Sequence, residues 1–162
     1  MNTISFNKEQ IETVFHEAEI KLISKENINL IKYTSYDITT FDQNNKELLK
    51  SIAGKSIVYC IWVGESINNI QPKYIGHVHQ KISRQRMRAH LTKKNLATGA
   101  QLENIKQELL KKNAIGLTFV VIDPIYMRKA LEEWLIDKHS RNLVWNKSGK
   151  AKLEAIVNDI NI

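Results

Sequence analysis

Three arginines and a histidine crowd one short stretch of this chain. Arg84, Arg86, Arg88 and His90 fall within RQRMRAH, and no acid stands among them. Four residues apart on a helix, Arg86 and His90 share a face. Arg84 and Arg88 taken alone are solvated helix charges, and the spacing to His90 singles out Arg86. A guanidinium keeps its charge and offers phosphate oxygens a planar fork. Tyr59 and Tyr74 lie upstream in two apolar runs that read as strands, and strand pairing can bring such side chains together. Gly76 lets a second backbone or a ligand come close. Glu132 and Glu133 follow on a later helix, and Asn146 in the loop beyond it. Phosphodiester hydrolysis asks for an activated nucleophile, for charge stabilisation on the phosphoryl oxygens and for help to the leaving oxygen. A carboxylate can hold a Mg²⁺ ion, an arginine can hold the phosphate, and a tyrosine can take a proton if its site suits that demand. Each residue also has a plainer reading. A strand tyrosine is more often a core residue with a satisfied hydroxyl, and Asn146 suits a turn.

The elements that must position these groups can be read from the pattern. SIVYCIWVG, residues 56–64, predicts a buried strand, and KYIGHV predicts its hairpin partner across the loop ESINNIQP. KISRQRMRAHLTKK predicts a helix, and QLENIKQELLKKN a second one after Gly99. GLTFVVID predicts a third strand. Asp123 and Pro124 suit the N-cap and first turn of a helix through IYMRKALEEWLIDKH. Its apolar stripe leaves Glu132 and Glu133 both off-centre, so periodicity does not choose between them. The expectation is an α+β domain with a small three-stranded, mainly antiparallel sheet flanked by helices. Residues 1–54 read as an N-terminal accessory extension opened by an amphipathic helix capped by Asn7. Tyr33, Tyr36, Ile38 and Phe41 suggest a short extended piece within it. Residues 55–148 form the main domain, and residues 149–162 a C-terminal helix packed on it.

The chain has 162 residues and a formal net charge of +7, enough for one domain with its own core. The charge is uneven. Residues 1–50 carry six basic and eight acidic residues, and the remainder carries eighteen and nine. No acid occurs from Ser66 to Leu102, where Lys73, Lys81, Arg84, Arg86, Arg88, Lys93 and Lys94 all fall. Such a block suits a polyanion, because neutralised phosphates release counterions. A solvated basic face is the alternative. No apolar run is long enough to span a bilayer, and MNTISFNKEQ is not a secretory signal. The single Cys60 predicts a reduced, buried thiol and a cytoplasmic protein.

Taken together, the polar set resembles the GIY-YIG nuclease family over about residues 55–148. Ile57-Val58-Tyr59 stands at the opening triplet, with Ile57 replacing its glycine. Tyr74-Ile75-Gly76 matches the second triplet without change. Arg86 and His90 match the helix arginine and the His or Tyr four positions later. Glu132-Glu133-Trp134-Leu135-Ile136 matches Glu-x-x-Leu-Ile, and Trp145-Asn146 stands at the late asparagine. Each triplet is weak alone; five elements in order are much stronger. The Tyr59–Tyr74 loop is longer than expected, and the QLENIKQELLKKN helix is an insertion or a local variant.

The resemblance implies a DNA endonuclease with a water nucleophile, one Mg²⁺ or Mn²⁺ ion on Glu132 and Tyr59 as base. Tyr74, Arg86 and His90 complete the site. Which of Tyr74 and His90 orients the water, the base or the phosphate stays open. The Glu-x-x-Leu-Ile register favours Glu132 over Glu133. Gly76 and Asn146 brace the site, and His77, Lys81, Arg84, Arg88, Lys93 and Lys94 meet nucleic acid. RNA stays open as a substrate. The small size resembles restriction-type members, which implies a homodimer, with the extension serving dimer contacts or target reading; repair-type nucleases are nearly as close. The principal alternative is a catalytically inactive nucleic-acid-binding module, for which an unpaired glutamate beside phosphate has no use. A structural protein whose basic helix meets an acidic partner is the third reading. His77 and His79 share a strand face and with His90 invite a zinc reading, against which stands the lack of a cysteine pair or carboxylate at ligand spacing. Trp145 is the loop aromatic best placed to stack on a base.

Overall fold

A computed structural model describes residues 3–35, 37–93 and 101–146. Lys94, Tyr36 and the C-terminal helix expected over 149–162 lie outside the described residues. Among those described, helix α1 (Lys8–Leu22), strand β1 (Asn29–Leu30), helices α2 (Ile38–Asn44) and α3 (Lys46–Ile52) precede the hairpin β2 (Ile57–Gly64) and β3 (Gln71–Val78). Helices α4 (Ser83–Thr92) and α5 (Leu102–Leu110), strand β4 (Ala114–Val121) and helix α6 (Met127–Lys138) follow. None of the described helices is long and apolar enough to cross a membrane.

The class is α+β. The sheet has four strands in the order β1-β4-β2-β3, all antiparallel neighbours, and this corrects the expected three. The added strand comes from the N-terminal segment, where Asn29 and Leu30 pair with Leu117 and Gly116. Both are exposed, so no alternation of apolar and polar residues marks them.

Strand β2 is central, and its side chains alternate between two cores. Ile57, Tyr59, Ile61 and Val63 face a core shared with Phe41, Leu49, Met87, Leu91 and Ile105 of the helices α2 to α5. Val58, Cys60 and Trp62 face the other, with Phe15 and Leu22 of α1 and Leu131 and Leu135 of α6. Burial on both faces is why this strand reads as an unbroken apolar run; each large side chain so buried contributes about 1.5–3 kcal/mol. Two polar groups on this second face are paired: Trp62 Nε1 donates to Thr118 at 3.0 Å, and Thr118 donates to the Leu22 carbonyl at 2.6 Å. Cys60 is a free, buried thiol.

Local signals act where they do not compete with packing. Asn7 caps α1 by accepting from the Gln10 N–H at 3.1 Å, and Gly54 follows α3 with φ of 73°. Asp123 and Pro124 do not cap α6. The helix starts at Met127, after a turn in which the Met127 N–H donates to the Pro124 carbonyl.

Candidate active site

Register explains how two tyrosines fifteen positions apart in sequence come together. Tyr59 lies opposite Gly76 and Tyr74 opposite Ile61. Directly opposed residues share a sheet face, so both rings project to the α4 side, with centroids 6.0 Å apart. Gly76 makes this possible. A Cβ there would stand 2.6 Å from the Tyr59 hydroxyl and 2.8 Å from the Tyr74 ring, both well inside van der Waals contact. The glycine is required for the space it leaves and has no unusual φ.

Helix α4 lies over this face. Ser83, Met87, His90 and Leu91 turn inward, with Ser83 donating to the Ile52 carbonyl at 3.0 Å. His90 is 5% exposed, and its Nδ1 meets the Tyr59 hydroxyl at 2.7 Å. Its Nε2 is buried without a hydrogen-bond partner. Burial, then the nearby charges of Arg86 and His77, push the His90 pKa down to about 4, so the ring is neutral near pH 7.

The tyrosines differ in access. Tyr59 is fully buried, Tyr74 partly. Burial above all raises the Tyr59 pKa far above its ordinary value; ionised Tyr74 and Glu132 add to this and Arg86 opposes it. Tyr74 is also raised, first by burial and then by Glu132, while its hydrogen bonding with Tyr59 and the Arg86 charge ease it down. Of the pair, Tyr74 is the easier to ionise.

Helix α6 packs on the opposite face of the hairpin. His77, opposite Val58, projects there, and its Nδ1 lies 2.5 Å from Glu132 Oε2. Glu133 is exposed, so packing separates two carboxylates that helical periodicity left equivalent. Glu132 shares no hydrogen bond with the tyrosines, but its charge acts on both, which stand on β2 and the edge strand β3. That edge is braced. The buried Asn146 accepts from the Ile75 N–H at 2.9 Å and donates to its carbonyl at 2.8 Å, and the Trp145 N–H donates to Lys73 at 3.0 Å.

The three arginines are sorted by helix geometry. Arg84 and Arg88, one turn apart, reach Asp42 of α2 at 3.5 and 3.0 Å. Arg86 lies about 160–200° around the helix from them, on the side whose charge acts on Tyr59, Tyr74 and His90. Lys81 and Lys93 are exposed. Lys81, Arg84 and Arg88 line a polar cavity of about 450 Å³ at the start of α4. His79 caps the short helix at Gln80–Ile82, accepting from the Lys81 N–H at 3.2 Å.

Two contacts were missed from sequence. The Tyr59–His90 bond spans 31 positions and the His77–Glu132 contact 55, beyond the reach of helical or strand spacing. Strand alternation places His77 on the face opposite Tyr74, which is the one signal that pointed toward α6. Among the described residues, no three or more His, Cys, Asp and Glu gather as a metal cluster. No family model, curated protein or solved structure matches the chain.

Proposed function

We propose that the protein is a metal-dependent DNA endonuclease with a GIY-YIG-like site, of restriction or repair type. The observation that carries this reading is the joining of Tyr59, Tyr74, His90 and Gly76 into one cluster, with Arg86 and Glu132 acting on it electrostatically. A binding module needs phosphate-facing cations; it does not need a neutral histidine locked to a buried tyrosine beside a carboxylate.

The donor set fits a divalent ion that keeps most of its ligands as water and phosphate, because the protein supplies one partly open carboxylate. Bound on Glu132, such an ion supplies Lewis-acid stabilisation of the phosphoryl and leaving oxygens. Arg86 holds a non-bridging oxygen with its fork. Tyr74, on the open side of the cluster, stands between water and the enclosed Tyr59. In its ionised form it would take the base role expected of Tyr59 and receive the proton of the attacking water, with Arg86 favouring that form and a cation on Glu132 offsetting the carboxylate charge that opposes it. Tyr59 and His90 lie behind it as a hydrogen-bonded pair that fixes the ring positions. Lys81, Arg84, Arg88 and Lys93 extend a cationic track for the strand. A homodimer would place two such sites on the two strands of a duplex.

The test is incubation of supercoiled and linear DNA with the protein plus Mg²⁺ or Mn²⁺, and with EDTA. Discrete, metal-dependent cutting supports the reading. A folded protein that binds DNA and leaves it intact across substrates and metals would transfer it to the inactive binding module.

A further inference from the structure

The His77 imidazole is the least expected neighbour of the candidate metal ligand. It comes from β3, directly after Gly76, and meets Glu132 at 2.5 Å. Both side chains are partly open, at 26% and 18% exposure, so solvent reaches each of them. We propose that His77 is a second protein ligand, and that with Glu132 it forms a nitrogen–oxygen pair that selects Mn²⁺-type ions over Mg²⁺. This rests on the assignment of Glu132 as the metal ligand.

Geometry is the first argument. Nitrogen and oxygen donors bind first-row divalent ions at roughly 2.0–2.2 Å, so two cis ligands of an octahedral ion stand about 3.0 Å apart. The observed separation needs to widen by only about half an ångström, a small adjustment for a glutamate side chain. The second argument is saturation. Among the described residues Glu132 hydrogen-bonds His77 alone, so an ion would displace one contact and leave no network broken. The third is donor chemistry. Mg²⁺ is hard and strongly prefers oxygen, whereas imidazole suits later, softer ions. A site holding a lone carboxylate accepts either; one that adds an imidazole does not treat them alike. No other imidazole is recorded against Glu132: His79 turns to the Lys81 N–H, and His90 to Tyr59.

The experiment needs neither substrate nor turnover. Manganese binding to the full-length protein is followed by the loss of free Mn²⁺ electron paramagnetic resonance signal, and nitrogen coupling to bound Mn²⁺ by electron spin echo modulation. Mg²⁺ affinity is obtained by competition. The expected result is an imidazole nitrogen coupling that persists in His90→Gln and vanishes in His77→Ala. Mn²⁺ affinity falls about tenfold in His77→Ala, as for other perturbed metal sites, while Mg²⁺ affinity moves less than twofold. His77→Asn, which retains an N–H for Glu132 but no imidazole, serves if the alanine variant does not fold. Any of three results overturns the proposal: no Mn²⁺ binding to the wild type, bound Mn²⁺ without nitrogen coupling, or equal loss of Mn²⁺ and Mg²⁺ affinity on removing His77. The last would make His77 a positioning residue for Glu132. Coupling without DNA cutting would sink the nuclease reading and leave this one standing; cutting without coupling would do the reverse.

Discussion

Glu19 and Glu132 each meet histidine at a helix α6 interface, and their surroundings differ. Glu19 of α1 is held by Lys138 at 2.7 Å, His139 at 2.6 Å and His16 at 3.0 Å. Lys138 also lies 4.8 Å above the Trp134 ring. Burial opposes ionisation of Glu19, but the three donors outweigh it and hold its pKa below the ordinary value. Glu132 meets a single imidazole and shares its surroundings with two tyrosines that its charge makes harder to ionise. The first arrangement satisfies a carboxylate and clasps α1 to the end of α6. The second leaves coordination capacity at a partly open edge. The same residue types thus make a fastener where they are saturated and a candidate ligand site where they are not.

Neutralising each glutamate is the sharpest way to break this comparison. Glu132→Gln is expected to lower the cleavage rate by about 10³-fold or more, the scale of losing a principal charge-stabilising group, with the fold intact by circular dichroism. Glu19→Gln is expected to leave cleavage within about threefold and to lower stability by about 1–2 kcal/mol, since it weakens hydrogen bonds to charged donors; chemical denaturation measures this.

Gly76 links the two faces of the site. Gly76→Ala should destabilise the fold by about 1–3 kcal/mol, because the Tyr59 and Tyr74 rings it would strike are packed in the core. Its cleavage rate should fall even at temperatures where it stays folded. Unchanged activity would show that the ring positions do not matter.

Acid should separate the two regions in sequence. Buried neutral His90 has a folded pKa of about 4 against an ordinary 6.5, so the unfolded chain binds the extra proton first. Its contribution is present above pH 6.5 and is lost as pH falls towards 4, at most about 3 kcal/mol. Glu19 acts later. Its pKa is lowered on folding, so its contribution is present above the ordinary 4.5 and disappears as pH falls through the lower folded value. Thermal melts across pH should show the first loss flattened in His90→Gln and the second flattened in Glu19→Gln.

The smallest effect belongs to Arg88, which pairs with Asp42 outside the reacting cluster. Arg88→Ala should weaken DNA binding and reduce the salt slope by about one, with little change in the cutting step at saturating DNA. Arg86→Ala should depress the cutting step itself. Equal effects on both quantities would erase the distinction that α4 draws between its two faces.

Much of the scaffold was legible because β2 is buried on both sides and declares itself as an apolar run. Arg86 and His90 were legible because helical spacing is local. Strand β1 was not, since two exposed residues carry no period. Nor was the Asp42 pairing of Arg84 and Arg88, which joins segments more than forty positions apart. Glu132 was favoured over Glu133 by the family register and not by periodicity, and His77 was read as a nucleic-acid contact; its meeting with Glu132 appears only with α6 docked on β3.

The central claim is that the Tyr59–Tyr74–His90 cluster, with Arg86 and Glu132, forms a phosphodiester-cleaving site. Parallel cleavage time courses of supercoiled DNA by the wild type, Glu132→Gln and Glu19→Gln, each with Mn²⁺, Mg²⁺ or EDTA, test it most directly. The account predicts metal-dependent cutting by the wild type and Glu19→Gln and none by Glu132→Gln. Cutting by Glu132→Gln at the wild-type rate, or intact DNA with all three folded proteins, would contradict it.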